Sequence, residues 1–184
     1  MKIEETSIEG LILITPKKYE DSRGYFFESF RADTFSRHGL PDRFVQENQS
    51  KSSYGVIRGL HYQIGADAQG KLIRTRMGSI LDVVVDIRPG SVTFGHVFST
   101  ELSEENAHQL WVPKGFAHGF SVLSETAIIQ YKCDAYYAPA MEAGILWSDP
   151  SLDIDWRIPE DKVILSDKDK YHPIFQDHEP IQVV

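Results

Sequence analysis

Residues 55–63, with the sequence Gly-Val-Ile-Arg-Gly-Leu-His-Tyr-Gln, combine strand-like apolar positions with two side chains that can do chemistry. The guanidinium of Arg58 can hold a phosphate through two parallel hydrogen bonds. An imidazole ordinarily titrates near neutrality, at a pKa of about 6.5, so a histidine such as His61 can accept a proton at the pH of a cell. An anion anchor close to a potential base predicts one wall of a site for a charged substrate.

The spacing of these two side chains raises a geometric difficulty. Side chains alternate along a strand, so Arg58 and His61 should point to opposite faces if the strand is regular. Gly59 lies between them, and a β-bulge at this glycine would bring both side chains into one pocket. The competing interpretation is that His61 is a hydrogen-bonded packing residue, as a lone histidine on an apolar strand usually is.

Short strands dominate the predicted secondary structure. One or two are expected within 3–14, and the others cover 25–30, 44–48, 55–63, 71–76, 80–87, 96–102, 109–112, 119–123 and 126–133. A short helix is predicted over 34–38, where Gly39 and Pro41 end it. Many short strands with regular turn signals and almost no helix predict an all-β sandwich or barrel.

The composition places the chain among ordinary globular proteins. Its 184 residues are enough for one domain, with 41% hydrophobic and 25% charged residues. No apolar run approaches the roughly 20 residues that span a membrane, and the N-terminus lacks the features of a signal peptide. Cys133 is the one cysteine, so an internal disulfide is impossible and a reducing compartment, the cytoplasm, is expected.

The net charge of -8 argues against nucleic acid as a partner, because nucleic acid requires a basic footprint. We likewise expect no membrane partner. A small anionic ligand needs only a few local cations. Five candidates are concentrated in the first half of the chain: Arg23, Arg58, Lys71, Arg74 and Arg76.

The sequence lacks most of the motifs that mark metal, nucleophile or phosphate sites. There is no His-x-His, His-Glu-x-x-His or Cys-x-x-Cys metal motif, although His61 and His118 could still meet in space. There is no serine nucleophile elbow and no glycine-rich phosphate loop. Asp82 and Asp86 are about 13 Å apart on a strand, so we expect solvated or arginine-paired carboxylates there. A metal-free base with several cations fits proton transfer at carbon or simple binding of a phosphorylated ligand, and spacing alone does not separate the two.

A series of spaced blocks resembles the dTDP-4-dehydrorhamnose 3,5-epimerase family. The blocks run in order from about residue 12 to residue 169, nearly the whole chain, and together they are highly specific. They are Asp21-x-Arg23-Gly24, Phe26-x-Glu28, Gln46-x-Asn48-x-Ser50-x-Ser52, the stretch 55–63, Gln69-Gly-Lys71, Thr93-Phe-Gly95, Gln109-Leu-Trp-Val-Pro113, Gly115-Phe-Ala-His118-Gly-Phe120, Tyr131-Lys132, Tyr136-Tyr137-x-Pro139, Glu142-x-Gly144-Ile145-x-Trp147-x-Asp149-Pro150 and Leu165-Ser166-x-Lys168-Asp169.

The resemblance implies an all-β, cupin-type jelly-roll barrel with short peripheral helices, formed by residues 1–184 as a single epimerase domain. It implies no cofactor, no metal, and a homodimer in which strands are exchanged. The implied substrate is dTDP-4-dehydro-6-deoxy-D-glucose, and the implied product is dTDP-4-dehydro-L-rhamnose, a precursor of dTDP-L-rhamnose for cell-surface glycans.

Four positions match the family's catalytic residues. His61 matches the base and Asp169 the carboxylate that pairs with it. Tyr131 matches the proton donor and Lys71 a residue near the enolate oxygen. From the residues alone, Asp169 reads as a solvated carboxylate, Tyr131 as a core tyrosine and Lys71 as a surface lysine.

Further positions match the family's substrate contacts. The resemblance implies that the diphosphate is held at Arg23, which the partner subunit can supply, and at Gln46, Asn48 and Arg58. The thymidine end falls at Phe26, Glu28 and Tyr137. The full set of implied binding residues is Arg23, Phe26, Glu28, Gln46, Glu47, Asn48, Arg58, Lys71, His118, Tyr137, Glu142 and Lys168.

Departures from the family pattern are confined to turns, at 91–93 and 156–157, and to the divergent region after Lys170. Three alternatives stay open at this point. They are a relative acting at one carbon only or a ketoisomerase, a silent cupin that binds a nucleotide sugar, and a metal-dependent cupin.

Overall fold

A computed structural model describes residues 1–181 of the chain. Thirteen strands in this part form two packed antiparallel sheets and a small hairpin. The strands are β1 Lys2–Glu5, β2 Ile12–Thr15, β3 Tyr19–Asp21, β4 Gly24–Phe26, β5 Gln46–Ser53, β6 Ile57–Gln63, β7 Lys71–Met77, β8 Ser79–Asp86, β9 Val97–Ser103, β10 Gln109–Val112, β11 Phe116–Val122, β12 Thr126–Cys133 and β13 Glu142–Gly144.

The six-stranded sheet has the order β1-β2-β10-β7-β12-β5, and the five-stranded sheet has the order β13-β6-β11-β8-β9. In the part of the chain described, α1 (Ala32–Arg37) is the one α-helix, and four 3₁₀ turns lie at Gly65–Asp67, Pro139–Met141, Glu160–Lys162 and Phe175–Asp177. The all-β prediction is therefore confirmed. None of the helices within residues 1–181 is long and apolar enough to cross a membrane.

Strand β8 is buried along nearly its whole length because both of its faces are covered. Ile80 and Val84 belong to the core between the two sheets, whereas Leu81 and Val83 belong to a second core on the outer face of the five-stranded sheet. The second core is completed by the C-terminal segment, in which Ile181 is buried. This segment therefore lies against the sheet that carries residues 57–63.

Most predicted strand positions agree with the structure, and β10 and β12 begin and end where expected. Three predictions were wrong in extent. The strand expected over 44–48 covers 46–53, and the strand expected over 119–123 covers 116–122. The strand expected over 25–30 ends at Phe26, within an exposed two-stranded hairpin formed by β3 and β4. Residues 27–30 leave the hairpin, and Phe30 packs edge-on against Phe35 of α1 at 4.8 Å between ring centroids.

Candidate active site

A cavity of about 280 Å³ opens between the two sheets. The five-stranded sheet and the six-stranded sheet both contribute side chains, and the segment after Leu165 closes one side. The lining residues are Ser50, Arg58, His61, Lys71, His118, Phe120, Ile129, Tyr131, Ser166, Lys168 and Asp169. All four residues that match the family's catalytic positions are among them.

Gly59 explains how Arg58 and His61 reach the same cavity. On β11, His118 pairs with His61 and Phe120 pairs with Arg58, so three steps along β6 oppose two along β11. The extra residue is a β-bulge. Gly59 has φ of +130°, and a Cβ there would lie 2.5 Å from the Cα of Gly119. The predicted bulge is confirmed, and both side chains line one pocket.

His61 and Asp169 form a close pair at the cavity wall. His61 Nε2 lies 2.5 Å from Asp169 Oδ1, and the side chains are 26% and 3% exposed. Burial alone would raise the pKa of Asp169, but the hydrogen bond and charge of His61, with help from Ser166, lower it below its ordinary value. The carboxylate is therefore ionised at neutral pH, and His61 donates Nε2–H to it. A neutral imidazole in this state carries its lone pair on Nδ1.

Tyr131 and Lys71 face the pair from the six-stranded sheet. Tyr131 lies on β12 and Lys71 on the neighbouring β7, where Lys71 pairs with Cys133. Burial, followed by the nearby Cys133 thiol, raises the pKa of Tyr131, so its hydroxyl stays protonated at neutral pH. Burial also lowers the pKa of the Lys71 amine. The reading of Lys71 as an ordinary surface lysine is thus wrong, since the residue is half-buried and lines both cavities.

His118 belongs to a second histidine–aspartate pair. Its Nε2 lies 3.0 and 2.9 Å from the two carboxylate oxygens of Asp82, whose side chain is 0% exposed. The expectation of a solvated or arginine-paired Asp82 was wrong. Asp82 shares a strand face with Ile80 and Val84, and this face points into the core, so a buried polar partner was required. The neighbouring Asp86 does pair with an arginine, Arg88, at 2.7 Å.

A second cavity of about 420 Å³ adjoins the first and shares His61, Lys71 and Tyr131 with it. Its other lining residues are Gln46, Asn48, Gln49, Tyr62, Gln63, Gln69, Tyr137 and Glu142. The predicted binding positions Gln46, Asn48, Tyr137 and Glu142 are thus brought beside the catalytic candidates.

Hydrogen bonds fix the arrangement of the second cavity. Gln46 Nε2 donates to Asn48 Oδ1 at 3.1 Å, and the backbone N–H of Tyr137 donates to Gln46 Oε1 at 2.9 Å. The Tyr137 hydroxyl donates to Glu142 at 2.7 Å, and Lys168 forms an ion pair with the same carboxylate. Burial would raise the pKa of Glu142, but Lys168 and Tyr137 outweigh this effect and lower it.

Four predicted binding residues lie away from both cavities. Arg23 and Phe26 line a groove of their own on the β3–β4 hairpin, where Arg23 pairs with Asp21 at 2.5 Å. Glu28 pairs with Arg31 at 3.8 Å, and Glu47 pairs with Lys132 at 2.9 Å. Within one subunit these side chains are not brought to the candidate site.

Sequence reasoning missed several residues of the site. Ser50, Phe120, Ile129 and Ser166 line the cavity without having been singled out as candidates. Alternation along β11 and β12 could have identified the two apolar residues, which share a face with His118 and Tyr131. No signal in the sequence pointed to His172, which lies in the divergent region and contacts Asp169.

The nearest ligand atoms of His61, Asp169 and His172 lie within 4.8 Å of one another. A tetrahedral zinc ion with bonds of about 2.0 Å would hold its ligand atoms about 3.3 Å apart. The 2.5 Å separation between His61 and Asp169 is instead that of a direct hydrogen bond. The group is therefore arranged as a hydrogen-bonded pair with a neighbouring imidazole.

Comparison with known proteins gives consistent results. The family model described as dTDP-4-dehydrorhamnose 3,5-epimerase matches residues 5–177. The dTDP-4-dehydrorhamnose 3,5-epimerase of Pseudomonas aeruginosa is 48% identical over 178 residues, covering 96% of this chain and 97% of that protein.

Solved structures agree with this result. A dTDP-6-deoxy-D-glucose-3,5-epimerase from Legionella pneumophila, in complex with dTDP-4-keto-L-rhamnose, is 47% identical with a TM-score of 0.93, covering 100% of this chain and 99% of that one. A double mutant of a 3'-monoepimerase from Streptomyces bikiniensis, in complex with dTDP, is 34% identical with a TM-score of 0.87, covering 92% and 85%. The predicted cupin-type jelly-roll fold is confirmed by these similarities.

Proposed function

The chain belongs to the dTDP-4-dehydrorhamnose 3,5-epimerase family, and we propose that it converts dTDP-4-dehydro-6-deoxy-D-glucose to dTDP-4-dehydro-L-rhamnose. One observation carries the residue-level proposal: His61, its partner Asp169 and Tyr131 line one cavity, with His61 and Tyr131 on opposite sheets. The ketone at carbon 4 acidifies the C–H bonds at carbons 3 and 5. A base on one side and an acid on the other can therefore invert each centre in turn through an enolate.

His61 is the base in this proposal. Asp169 accepts the Nε2–H, which leaves the lone pair on Nδ1 to take the substrate proton. When the ring becomes an imidazolium, the adjacent buried carboxylate stabilises the new charge. The low pKa of Asp169 supports this role, because the carboxylate stays ionised throughout the cycle.

Tyr131 donates its own hydroxyl proton to the opposite face of the enolate, and Lys71 stabilises the enolate oxygen. A donor must hold its proton until the enolate forms, and the raised pKa of Tyr131 supports that behaviour. Lys71 lines the same cavity and is partly desolvated there, which lowers the pKa of its amine. A hydrogen-bond donor in a desolvated site interacts more strongly with a developing oxyanion than it would in water.

The remaining polar residues hold the nucleotide part of the substrate. Arg58 lines the first cavity and is braced by Ser52, to which its Nε donates at 3.2 Å. A guanidinium there suits a diphosphate oxygen. Gln46 and Asn48 offer amides, and Tyr137 offers an aromatic face for the base.

A homodimer would complete the site. The β3–β4 hairpin is exposed along both strands and carries Phe26 at 70% exposure, beside Arg23. In our proposal this hairpin extends to the second subunit and adds Arg23, Phe26 and Glu28 to its cavity. Arg23→Ala and His61→Asn variants, each inactive alone, should regain activity when their subunits are mixed. No recovery in mixtures with proven subunit exchange would contradict the shared site.

A second candidate is inversion at one carbon only. The similarity to a 3'-monoepimerase supports it, because the same base and acid could serve a single centre. The direct test is proton NMR of the 4-keto sugar nucleotide with this protein in deuterated water. Deuterium at carbons 3 and 5, with an L-rhamno product trapped by a reductase, is the expected outcome.

The other labelling patterns each exclude the leading proposal in a different way. Deuterium at one carbon only would assign the single-site reaction. Measurable binding of dTDP without any deuterium would indicate a silent nucleotide-sugar-binding protein. His61→Asn is the matched control, since it should bind dTDP as wild type does while losing exchange at both carbons.

A further inference from the structure

His172 is a second imidazole on the carboxylate that orients His61. Its Nε2 lies 3.5 Å from Asp169 Oδ1, the same oxygen that His61 contacts at 2.5 Å. The two imidazole rings meet edge-on, with centroids 5.5 Å apart and an interplanar angle of 73°. Asp169 is therefore flanked by two imidazoles, and the proposed mechanism uses only one of them.

The position of His172 is fixed by the fold. Its ring lies against Gly144 of β13, where a Cβ would come within 2.5 Å of the imidazole Cε1. Gly144 pairs with His61 across the sheet, so the missing side chain leaves the space for a second ring directly beside the base. Leu146 N–H donates to the carbonyl of Pro173 at 2.7 Å and anchors the chain at the next residue.

Packing alone does not explain why the Nε2 atom of His172 is buried. The side chain is 11% exposed, and Nε2 is buried without a hydrogen-bond partner within residues 1–181. A buried polar atom left without a partner is costly and calls for an explanation. At 3.5 Å the contact with Asp169 is too long for a good hydrogen bond, but a small movement of either side chain would form one.

Burial, more than the neighbouring charges, keeps the His172 ring neutral. His61 on β6, together with Asp169 and Lys168 in the segment before it, are the titratable groups that act on it, and Gly144 on β13 contributes none. Burial, followed by the positive charge of His61, lowers the pKa of His172 and outweighs the attraction of Asp169. The ring is thus uncharged at neutral pH and takes up a proton only in more acidic solution.

We propose that His172 is a positioning residue for the epimerisation, an inference that rests on the proposed function. As a neutral ring it confines Asp169, so that the carboxylate stays on His61 while the base moves a proton. As an imidazolium it attracts the same oxygen and weakens the hold of Asp169 on His61. Protonation of His172 in acid therefore lowers activity by drawing the carboxylate away from the base.

Two substitutions separate these effects. His172→Gln keeps a polar group of similar reach but cannot be charged, whereas His172→Leu removes the polar group. For His172→Leu we expect kcat to fall about 10-fold with KM changed less than about two-fold, because small displacements of a catalytic group cost up to about 100-fold. For His172→Gln we expect near wild-type kcat at pH 7.5, and a loss of kcat/KM in acid that is less steep than in wild type.

His178 provides the matched control. It lies in the same C-terminal segment, and its Nε2 is also buried without a partner, but its Nδ1 contacts the carbonyl of Phe175 at 2.5 Å. His178→Gln and His178→Leu should keep the wild-type acid limb. The inference is overturned if the His172 variants keep the wild-type acid limb, or if the His178 variants change the limb to the same extent.

A measurement without substrate keeps this test independent of the reaction. The proton between His61 and Asp169 can be followed by NMR in the ligand-free protein as the pH is lowered. In wild type we expect its resonance to shift as His172 takes up a proton. In His172→Gln we expect this step to be absent. Persistence of the step in the variant would refute the role of His172. Failure of the wild type to exchange deuterium would instead refute only the proposed function.

Discussion

The two histidine–aspartate pairs lie side by side in the molecule, yet they are supported differently. His61 and His118 are direct partners across β6 and β11. The carboxylate for His118 comes from Asp82 on the adjacent strand β8, and both of its oxygens contact one ring nitrogen. The carboxylate for His61 comes from Asp169, 108 residues away in sequence and outside the sheets, and it makes one short contact.

The difference indicates which pair can carry out a proton transfer. The His118–Asp82 pair is held by the ladder of the sheet, with side chains 10% and 0% exposed, so it suits a fixed contact that keeps one geometry. The His61 ring is 26% exposed at the cavity, and its carboxylate is held by a loop. A base must meet substrate and be reset in each cycle, and only this pair offers both access and room to adjust.

The largest expected effect comes from replacing each histidine by asparagine. His61→Asn should lower kcat by about 1,000-fold or more, because a general base contributes roughly 10²–10⁴-fold. His118→Asn should lower it by about 10-fold, as expected for a contact that positions the substrate. Rates of deuterium incorporation at carbons 3 and 5 provide the measurement, with dTDP affinity as the control for folding. Equal losses in the two variants would remove the distinction between the pairs.

The next effect is on stability. Removing Asp82 should destabilise the protein more than removing Asp169 does. Asp82→Ala leaves a histidine buried without its partner, and breaking a buried pair in this way costs about 3–5 kcal/mol. Asp169→Ala should cost less, about 1–3 kcal/mol, because His61 can turn to water in the cavity. Activity should instead fall more in Asp169→Ala than in Asp82→Ala. Urea unfolding at pH 7 with turnover of the same samples tests both, and a larger unfolding loss for Asp169→Ala would contradict the comparison.

Regular parts of the fold were predictable because local pattern decides them. The strands at 109–112 and 126–133 were predicted with the bounds the structure has, since turn residues flank them. The prediction of a strand over 25–30 was wrong because the aromatic residues in this range lie in two different environments. Phe26 is exposed on the hairpin, whereas Phe30 packs under the helix at Phe35.

The site was less predictable from local pattern. Regular alternation places Arg58 and His61 on opposite faces of the strand. Only the glycine between them indicated that a bulge could bring both side chains to one face. The Asp169 partner came from the resemblance, because no spacing rule links residues 108 positions apart. Asp82 was misread, although its register with Ile80 and Val84 already implied a buried carboxylate. The sequence pattern predicts faces of strands, but it does not predict which faces of different strands converge.

The smallest expected effect is the dependence of stability on acid, which isolates the ionisation of Asp169. Its pKa in the folded protein is below the ordinary value of about 3.9, so its ionised form stabilises the fold. This stabilisation is fully present above about pH 4 and is lost as the pH falls through the folded pKa. Asp169→Asn cannot lose it, so the difference in unfolding free energy between wild type and variant should narrow in acid.

Unfolding by urea at pH 7 and at pH 3 measures this narrowing. Asp167→Asn is the control, because the exposed Asp167 carboxylate pairs with Lys170 at the surface and added salt should screen its contribution. For Asp169 the narrowing should persist in salt, since that carboxylate is buried with His61. A difference that stays constant between the two pH values would mean that the loop holds Asp169 by packing rather than by charge. Charge would then not explain the difference between the His61–Asp169 pair and the His118–Asp82 pair.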